Sequence, residues 1–295
     1  MEFGRVTPKE LEKLDLHLPA DPAGNKSILQ PPGKKVKAWL GTSKWGRKEW
    51  LGKLYPKGIK DSEFLREYVK HFNAISLNAT HYQIYKPDEI AKWAAKASGK
   101  DFRFSPKVTN SISHYSGFNN TNTITQAFIE GILAFGPALG PVLLQVSEKY
   151  NPKQREPLCK YLQSWPSDLL LFLEVRHPDW YIDKTVFNEL LSRLKQLNIG
   201  LAITDTAGRR DVLHMNLTIP KAYIRFVGNS LHASDYTRID EWAERLKIWI
   251  DQGLEEIYFF IQMQDDSLTP ELAKYAAAQF NNVCGLSLPE IKFIG

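Results

Sequence analysis

The chain has 295 residues, of which 43% are hydrophobic, so it can bury a large core in one sizeable domain or in two smaller ones. Its 38 basic and 33 acidic residues leave a net charge of +5 that is spread along the chain, which favours an ordinary globular protein over a nucleic-acid binder. Only Cys159 and Cys284 are present, without a Cys/His cluster, and this pattern indicates neither a disulfide framework nor a structural zinc site.

The first 35 residues are rich in proline and polar side chains and end in QPPGKK. This composition predicts an irregular N-terminal arm, residues 1–35, that wraps the outside of a main domain or is partly disordered. The arm lacks the apolar core of a signal peptide, and no later run approaches the roughly 20 apolar residues that span a bilayer. We therefore expect a cytoplasmic protein with no membrane partner, whose main domain occupies residues 36–295.

From Val36 onward, short β-rich runs alternate with stretches of helical periodicity. The runs with strand character are VKAWLGTS, NAISLNAT, DFRFSPKV, GPVLLQVS, LLLFLEVR, GLAITDT, AYIRFVG and EIYFFIQM. The helical stretches are DSEFLREYVKHF, PDEIAKWAAKAS, TITQAFIEGILAFG, KQREPLCKYLQSW, KTVFNELLSRLKQL, DYTRIDEWAERLKIWIDQG and TPELAKYAAAQF. This alternation predicts an α/β protein with parallel strands, and the number of units favours a single-domain, closed TIM-type (β/α)8 barrel. The sixth interval, TAGRRDVLHMNLTIP, offers at most a turn of helix.

The segment FLEVRHPDWY, residues 172–181, ends an apolar run in Glu174, Arg176 and His177. Neighbouring strand residues point to opposite faces, and the outer face of a barrel strand must pack against helices. The aliphatic positions of this run therefore face outward, and Glu174 and Arg176 face inward. They lie at the carboxyl end of the strand, which is where barrel enzymes place their active sites.

The same alternation turns polar residues inward at the ends of other strands. These residues are Asn78, Lys107, Gln145, Arg225 and Gln262. Because they come from strands far apart in sequence, the pattern predicts one shared polar pocket at the barrel mouth.

Three charged residues are the candidate catalytic groups. Glu174, held ionised beside Arg176, is expected to act as a general base or to orient a substrate hydroxyl; a structural ion pair is the alternative. Lys107 is a candidate Schiff-base nucleophile, proton carrier or anion anchor, or else it balances the charge of Glu174. Asp205 ends its strand, where it could share acid/base work with Glu174 or cap the following turn.

The remaining candidates are substrate-binding residues near the strand ends. Arg176 and Arg225 are suited to grip a carboxylate or phosphate, and Asn78, Gln145 and Gln262 to position hydroxyl groups. Tyr82 and Trp45 could stack against a sugar or base, although packing against the barrel is the commoner role. His177 could transfer protons, but its outward parity favours a role in fixing the loop.

The sequence contains no metal-binding or nucleotide-binding signature. His81 and His114 follow the second and third strands without the spacing of a metal motif, so we assign no metal site. Neither a G-x-G-x-x-G motif nor a P-loop occurs, and the cofactor is left open.

Six motifs in order carry a family resemblance: GTSKWGRKEWLGKLYP, LNATHYQIYKPDEIAKWA, FRFSPKVTNSISH, LGPVLLQV, LEVRHPDWY and AYIRFVG. The chain resembles the YecE-like family, also called domain of unknown function 72, from about Val36 to about Phe280. The resemblance implies a TIM-barrel fold and implies no particular reaction. Three positions depart from the family pattern: Ser76 replaces a glutamate, Val227 stands in place of a histidine, and Gln262 lies within an altered F-N-N motif.

Together these patterns predict a divergent family member that acts on a small polar metabolite, anionic or sugar-like, by hydrolysis or isomerisation. A ligand-binding protein without catalysis is one alternative, because the departures from the family pattern remove ionisable groups. A nucleic-acid-binding protein, with lysine and arginine around the barrel mouth, is the other. The oligomeric state is left open.

Overall fold

The computed structural model describes residues 3–31 and 35–294 and contains nine short strands. In chain order they are β1 (Lys37–Thr42), β2 (Ala74–Leu77), β3 (Arg103–Pro106), β4 (Val142–Gln145), β5 (Leu171–Glu174), β6 (Gly200–Leu201), β7 (Ile203–Asp205), β8 (Lys221–Gly228) and β9 (Glu256–Met263). Each of the eight predicted runs contains a strand, and the sixth run contains two, interrupted at Ala202.

The helices lie between the strands along the chain, except that the first precedes β1 and the last follows β9. They are α1 (Pro8–Leu11), α2 (Phe64–His71), α3 (Ala79–Tyr82), α4 (Pro87–Lys96), α5 (Asn122–Leu133), α6 (Arg155–Ser164), α7 (Asp179–Ile182), α8 (Lys184–Gln196), α9 (Ala233–Gln252) and α10 (Thr269–Cys284). As predicted, the sixth interval contains only a short 3-10 segment, Ala207–Val212.

All paired strands are parallel and form two sheets. The larger sheet has the order β3-β2-β1-β9-β8-β7, and the smaller has the order β4-β5-β6. Two isolated bridges, Phe104 to Leu139 and Lys107 to Leu143, join the β3 region to the β4 region. The architecture is therefore α/β with parallel sheets, in which every strand directs its carboxyl end the same way as its neighbours.

The two faces of the strands carry different side chains, and this confirms the alternation read from the sequence. Residues such as Leu173, Ile224 and Phe259 lie in the large hydrophobic cluster beneath the helices. Their neighbours on the opposite face, Phe172 and Tyr223 among them, form a second, smaller cluster. This smaller cluster is largely aromatic, and it underlies the polar side chains at the strand ends.

The N-terminal arm packs along one side of the main fold. The side chain of Asn25 donates to the carbonyl of Met215 and accepts from the amide of Leu217. Gly253, at the end of α9 with a φ of 113°, faces Gln30 so closely that a Cβ would lie 1.4 Å from its carbonyl oxygen. Asn25 and Gln30 of the arm thus contact the main fold, and residues 1–2, 32–34 and 295 lie outside the described part of the chain.

Within the described ranges, no helix combines the length and apolar character needed to cross a membrane. Cys159 and Cys284 are both free thiols.

Candidate functional site

The candidate site lies at the carboxyl ends of the strands and is centred on Glu174, the last residue of β5. Glu174 is buried, with 1% of its surface exposed. Its Oε1 accepts hydrogen bonds from Arg176 Nε at 2.6 Å and from Thr204 Oγ1 at 3.0 Å. Arg225 Nη1, from β8, lies 2.7 Å from both carboxylate oxygens. Two guanidinium groups and a hydroxyl therefore hold this carboxylate in one position.

These bonds determine the protonation of Glu174. Burial by itself raises the pKa of the carboxyl group, but Arg176 and Arg225 outweigh burial and hold the pKa at about 2. A carboxylate with so low a pKa, and with its oxygens already engaged, is a weak proton acceptor at neutral pH. The geometry thus favours orientation of the arginines over the predicted role of Glu174 as general base.

Lys107 lies one residue beyond β3, and only 6% of its surface is exposed. Among the described residues, its ammonium group forms neither an ion pair nor a hydrogen bond, and the carboxylate of Glu174 is bonded by the two arginines instead. Burial lowers the pKa of Lys107 well below its ordinary value, and the like charges of Arg225 and Arg176 add to this effect. Lys107 therefore releases its proton more easily than an exposed lysine.

We name Glu174, Arg176, Arg225 and Lys107 the Glu174 cluster. It contains three basic side chains and one carboxylate; a further carboxylate, Glu148, lies 3.6 Å from Arg176 Nη1 but is half exposed. Buried charges require compensation by charges of opposite sign. The cluster is therefore short of negative charge.

Several buried polar atoms around this cluster have no hydrogen-bond partner among the described residues. They are Nη2 of Arg176, Nε of Arg225, Oε1 of Gln145 and Nε2 of Gln262. Buried polar groups are rarely left unpaired, and those that are require an explanation such as a ligand or ordered water. Gln262 does accept a long hydrogen bond of 3.4 Å from Arg225 Nη2. Three of the four unpaired atoms are therefore N–H donors, and the fourth, Oε1 of Gln145, is an acceptor.

Two histidines adjoin the basic groups. His81 is buried in α3, the short helix that follows β2, and its Nδ1 lies 2.8 Å from the carbonyl oxygen of Val108. His114 lies in a single π-helical turn, and its ring centroid is 5.0 Å from that of His81. Burial, followed by the charge of Lys107, lowers the pKa of each histidine to about 4. Both rings are thus neutral at neutral pH.

The predicted partnership of Asp205 with Glu174 is corrected by the structure. Asp205 is the last residue of β7, and it faces α9 rather than the Glu174 cluster: its oxygens accept from Arg238 Nη2 at 2.7 Å and from Trp242 Nε1 at 2.8 Å. Arg210 also donates to it. The parity of the strand explains this, because Asp205 shares the face of Ile203, and the intervening inward residue is Thr204. Nor does Asp205 cap the turn that follows it.

The other predicted residues fall into two groups. His177 Nδ1 accepts from the amide of Asp179 at 3.2 Å, which fixes the loop as its parity suggested. Trp45 packs edge-on against Trp93, with 5.4 Å between ring centroids, and so takes the structural role. Asn78 is half-buried at the start of α3, and Tyr82 at its end is 75% exposed and available for stacking.

Sequence reasoning missed two contributors to the site. Thr204 donates to Glu174, and the strand alternation in GLAITDT contains the signal that would have found it. Phe3 lies in the N-terminal arm, and its ring covers Arg176 at 4.2 Å from the guanidinium carbon. No local pattern could have indicated this second contact, because the two residues are far apart along the chain.

Comparison with known proteins fixes the family. The family model for a protein of unknown function, DUF72, matches residues 39–291. The chain belongs to the DUF72 family. It is 26% identical over 252 residues to the UPF0759 protein YecE of Escherichia coli K12, covering 79% of this chain and 89% of that protein.

Solved structures of two DUF72 family proteins share the fold. One is from Enterococcus faecalis, with a TM-score of 0.68 and 20% identity over 86% of this chain and 98% of the other. The second is from Thermotoga maritima, with a TM-score of 0.62 and 23% identity over 85% of this chain and 100% of the other. At these identities the likeness shows the fold alone.

Proposed function

We propose that the two parallel sheets close into one TIM-type barrel. Only Ala202 separates β6 from β7, so we treat these strands as two parts of one interrupted barrel strand. The first part, β6, lies at the edge of the smaller sheet, and the second part, β7, pairs with β8 in the larger sheet. The bridges Phe104 to Leu139 and Lys107 to Leu143 support contact at the other seam. In such a barrel the Glu174 cluster occupies the carboxyl-end mouth, which is the usual place for a ligand site.

At this mouth, the function that the geometry supports best is the binding of a small anionic, sugar-like metabolite through a phosphate or carboxylate group. The observation that carries it is the imbalance of the Glu174 cluster, in which three buried basic groups share one buried carboxylate. The unpaired N–H groups of Arg176 and Arg225 are the donors for the anion. The unpaired amide atoms of Gln145 and Gln262 suit a hydroxyl group of the same ligand.

For catalysis, we assign proton transfer to Lys107 and orientation to Glu174. Lys107 combines a lowered pKa with a buried position beside the proposed anion donors, as a general base requires. Isomerisation by proton transfer next to a carbonyl is thus favoured over hydrolysis by paired carboxylates. The latter needs one carboxyl group as acid and another as base or nucleophile, whereas Glu174 is engaged by arginines and Asp205 faces α9.

Thermal unfolding in the presence of ligands tests the binding proposal. The wild type is compared with Arg176→Ala and with Arg66→Ala, a control that removes an arginine from the exposed surface of α2. The ligands are inorganic phosphate, glucose 6-phosphate and gluconate, with glucose as the neutral control. A ligand at a hundredfold excess over its Kd adds about 2.7 kcal/mol and raises the midpoint by about 4 °C for a chain of this size.

We expect an anion to stabilise the wild type and Arg66→Ala but not Arg176→Ala. Equal stabilisation of all three proteins, or of none, contradicts the assigned site. Stabilisation by duplex DNA that disappears steeply with salt, without any response to small anions, would favour nucleic-acid binding instead. NMR after long incubation shows whether the bound ligand has changed. An unchanged ligand would refute the proposed catalysis and leave the proposed anion binding intact.

A further inference from the structure

The N-terminal arm covers one of the proposed anion donors. The Phe3 ring contacts two guanidinium groups, with its centroid 4.2 Å from the guanidinium carbon of Arg176 and 4.7 Å from that of Arg209. Phe3 is itself only 7% exposed. The face of an aromatic ring attracts a cation, and the contact is stronger where water is excluded. Phe3 therefore lies against the guanidinium group of Arg176 and screens it from solvent.

Residues 3–6 form two hydrogen bonds with the rest of the described chain. The carbonyl oxygen of Gly4 accepts from Gly208 N at 3.0 Å and from Thr206 Oγ1 at 3.2 Å. Gly4 has a φ of 72°, and a Cβ at this position would lie 2.3 Å from Thr206 Oγ1. Only glycine fits here, so the position of Phe3 depends on a backbone conformation that other residues resist.

The next part of the arm is attached much more firmly. Arg210 donates to the carbonyl oxygens of Leu16 and His17, and Glu241 accepts from the amide of Leu18. Arg245 donates to the carbonyl of Pro19. A segment with few bonds beside one with many opens first, because local opening depends on the contacts that must be broken. Residues 3–6 can thus move while residues 16–29 remain in place.

The arm also lies outside the region that defines the family. The family match begins at residue 39, whereas Phe3 and Gly4 precede it. The contact on Arg176 is therefore made by a segment that lies outside the family match.

We propose that residues 3–6 form a hinged cover over the anion site, and that binding of an anion at Arg176 displaces Phe3. This inference rests on the proposed function of the same site. The unpaired Nη2 of Arg176 lies in a side chain that the cover shields, so an anion and the Phe3 ring compete for access to one guanidinium group. The apparent Kd of a site that is mostly covered equals its intrinsic Kd divided by the fraction that is open.

Titration calorimetry with inorganic phosphate tests the cover. Phe3→Ala removes the ring, and Gly4→Ala keeps the ring but disfavours the closed backbone. Leu14→Ala is the matched control, since Leu14 belongs to the same arm and is 36% exposed. For a cover that is open in about one molecule in ten, we expect both cover variants to bind phosphate about tenfold more tightly than the wild type. The control should bind as the wild type does.

Hydrogen exchange at Gly208 reports the movement directly, because its amide donates to Gly4. We expect phosphate to accelerate exchange at this amide in the wild type. Phosphate binding with equal affinity in the wild type and both cover variants would overturn the cover and leave the anion site intact. Weaker binding by Phe3→Ala would overturn it too, since the ring would then be part of the binding surface. Absence of binding in every variant would overturn both the cover and the proposed function.

Discussion

Two buried carboxylates, each held by two arginines, lie on opposite faces of the strands. Glu174 faces the aromatic interior with Arg176 and Arg225, and Asp205 faces α9 with Arg210 and Arg238. In both carboxyl groups, burial raises the pKa and the arginines lower it, and the resulting pKa is below the ordinary value. Their local chemistry is therefore almost the same.

They differ in the balance of charge. Arg238 also lies 3.6 Å from Asp235, so the outer group has two arginines and two aspartates. The Glu174 cluster adds Lys107, which has no ion-pair partner among the described residues, and so carries an excess of basic groups. Charge balance explains the outer group by its role in the fold alone, whereas we attribute the excess of basic groups in the Glu174 cluster to the proposed anion ligand. The experiments below test this distinction.

The largest effect on stability is expected from a substitution at Asp205, on the strand face that packs against α9. Asp205→Asn leaves the buried guanidinium of Arg238 and that of Arg210 without their shared partner, which typically costs about 3–5 kcal/mol. Denaturant unfolding measures this loss. Phosphate affinity should remain that of the wild type, because the site lies on the other face. A loss of less than about 1 kcal/mol would contradict the structural role of Asp205.

On the inner face, removal of a charge should stabilise the protein. Lys107→Met replaces a buried amine that has no ion-pair partner among the described residues by an apolar group. Since an unpaired buried polar group costs about 1–3 kcal/mol, we expect a gain in stability of this size together with weaker binding of phosphate. The pKa of Lys107 is lowered on folding, so between its folded pKa and 10.5 the unfolded chain binds more protons. The advantage of Lys107→Met should therefore be full at pH values below the folded pKa and disappear as pH rises toward 10.5.

Histidine titration distinguishes the cluster from its surroundings. His81 and His114 have a pKa of about 4 partly because Lys107 is near, whereas His214 has a pKa of about 4 through burial, with Glu174 opposing. Phosphate bound at the Glu174 cluster should raise the pKa values of His81 and His114 and leave the pKa of His214 almost unchanged. NMR titration of the three rings measures these pKa values. An equal shift at all three rings would refute a local site.

These histidines also predict an acid limit to stability. A histidine that titrates near 6.5 when unfolded and near 4 when folded binds more protons in the unfolded state. Stability should consequently fall between pH 6.5 and pH 4, and phosphate should reduce the fall. Thermal unfolding across this pH range measures both quantities.

The smallest effect on stability is expected from a substitution at Tyr82, the exposed residue at the end of α3. Tyr82 is 75% exposed, so Tyr82→Ala should change stability by less than about 0.5 kcal/mol. If its ring stacks on a sugar, the affinity for glucose 6-phosphate should fall about threefold while that for inorganic phosphate stays the same. An equal change for both ligands would remove Tyr82 from the sugar-binding surface.

The strand alternation explains how much of this could be predicted. Successive side chains of a strand point to opposite faces, and the face that packs against helices must be apolar. These two rules placed Glu174, Arg225 and Lys107 on one face and the aliphatic residues on the other. The same rule would have placed Asp205 outward with Ile203. Predicting its role from its position at a strand end alone was the error.

Contacts between distant segments could not be predicted in this way. Phe3 reaches Arg176, and Arg238 reaches Asp205, only because separate elements pack together. Nor does alternation show whether Lys107 has a partner, since that depends on which oxygens the arginines already occupy. Charge balance is a property of the assembled cluster.

The most direct test compares Glu174→Gln with Asp205→Asn in unfolding experiments with and without inorganic phosphate. Both variants should be less stable than the wild type, because each leaves buried arginines unpaired. Phosphate should restore much of the stability of Glu174→Gln, since an anion at the cluster supplies the missing negative charge, and should add to Asp205→Asn no more than it adds to the wild type. Equal rescue of both variants, or rescue of neither, would contradict the claim that the inner cluster is built to receive an anion.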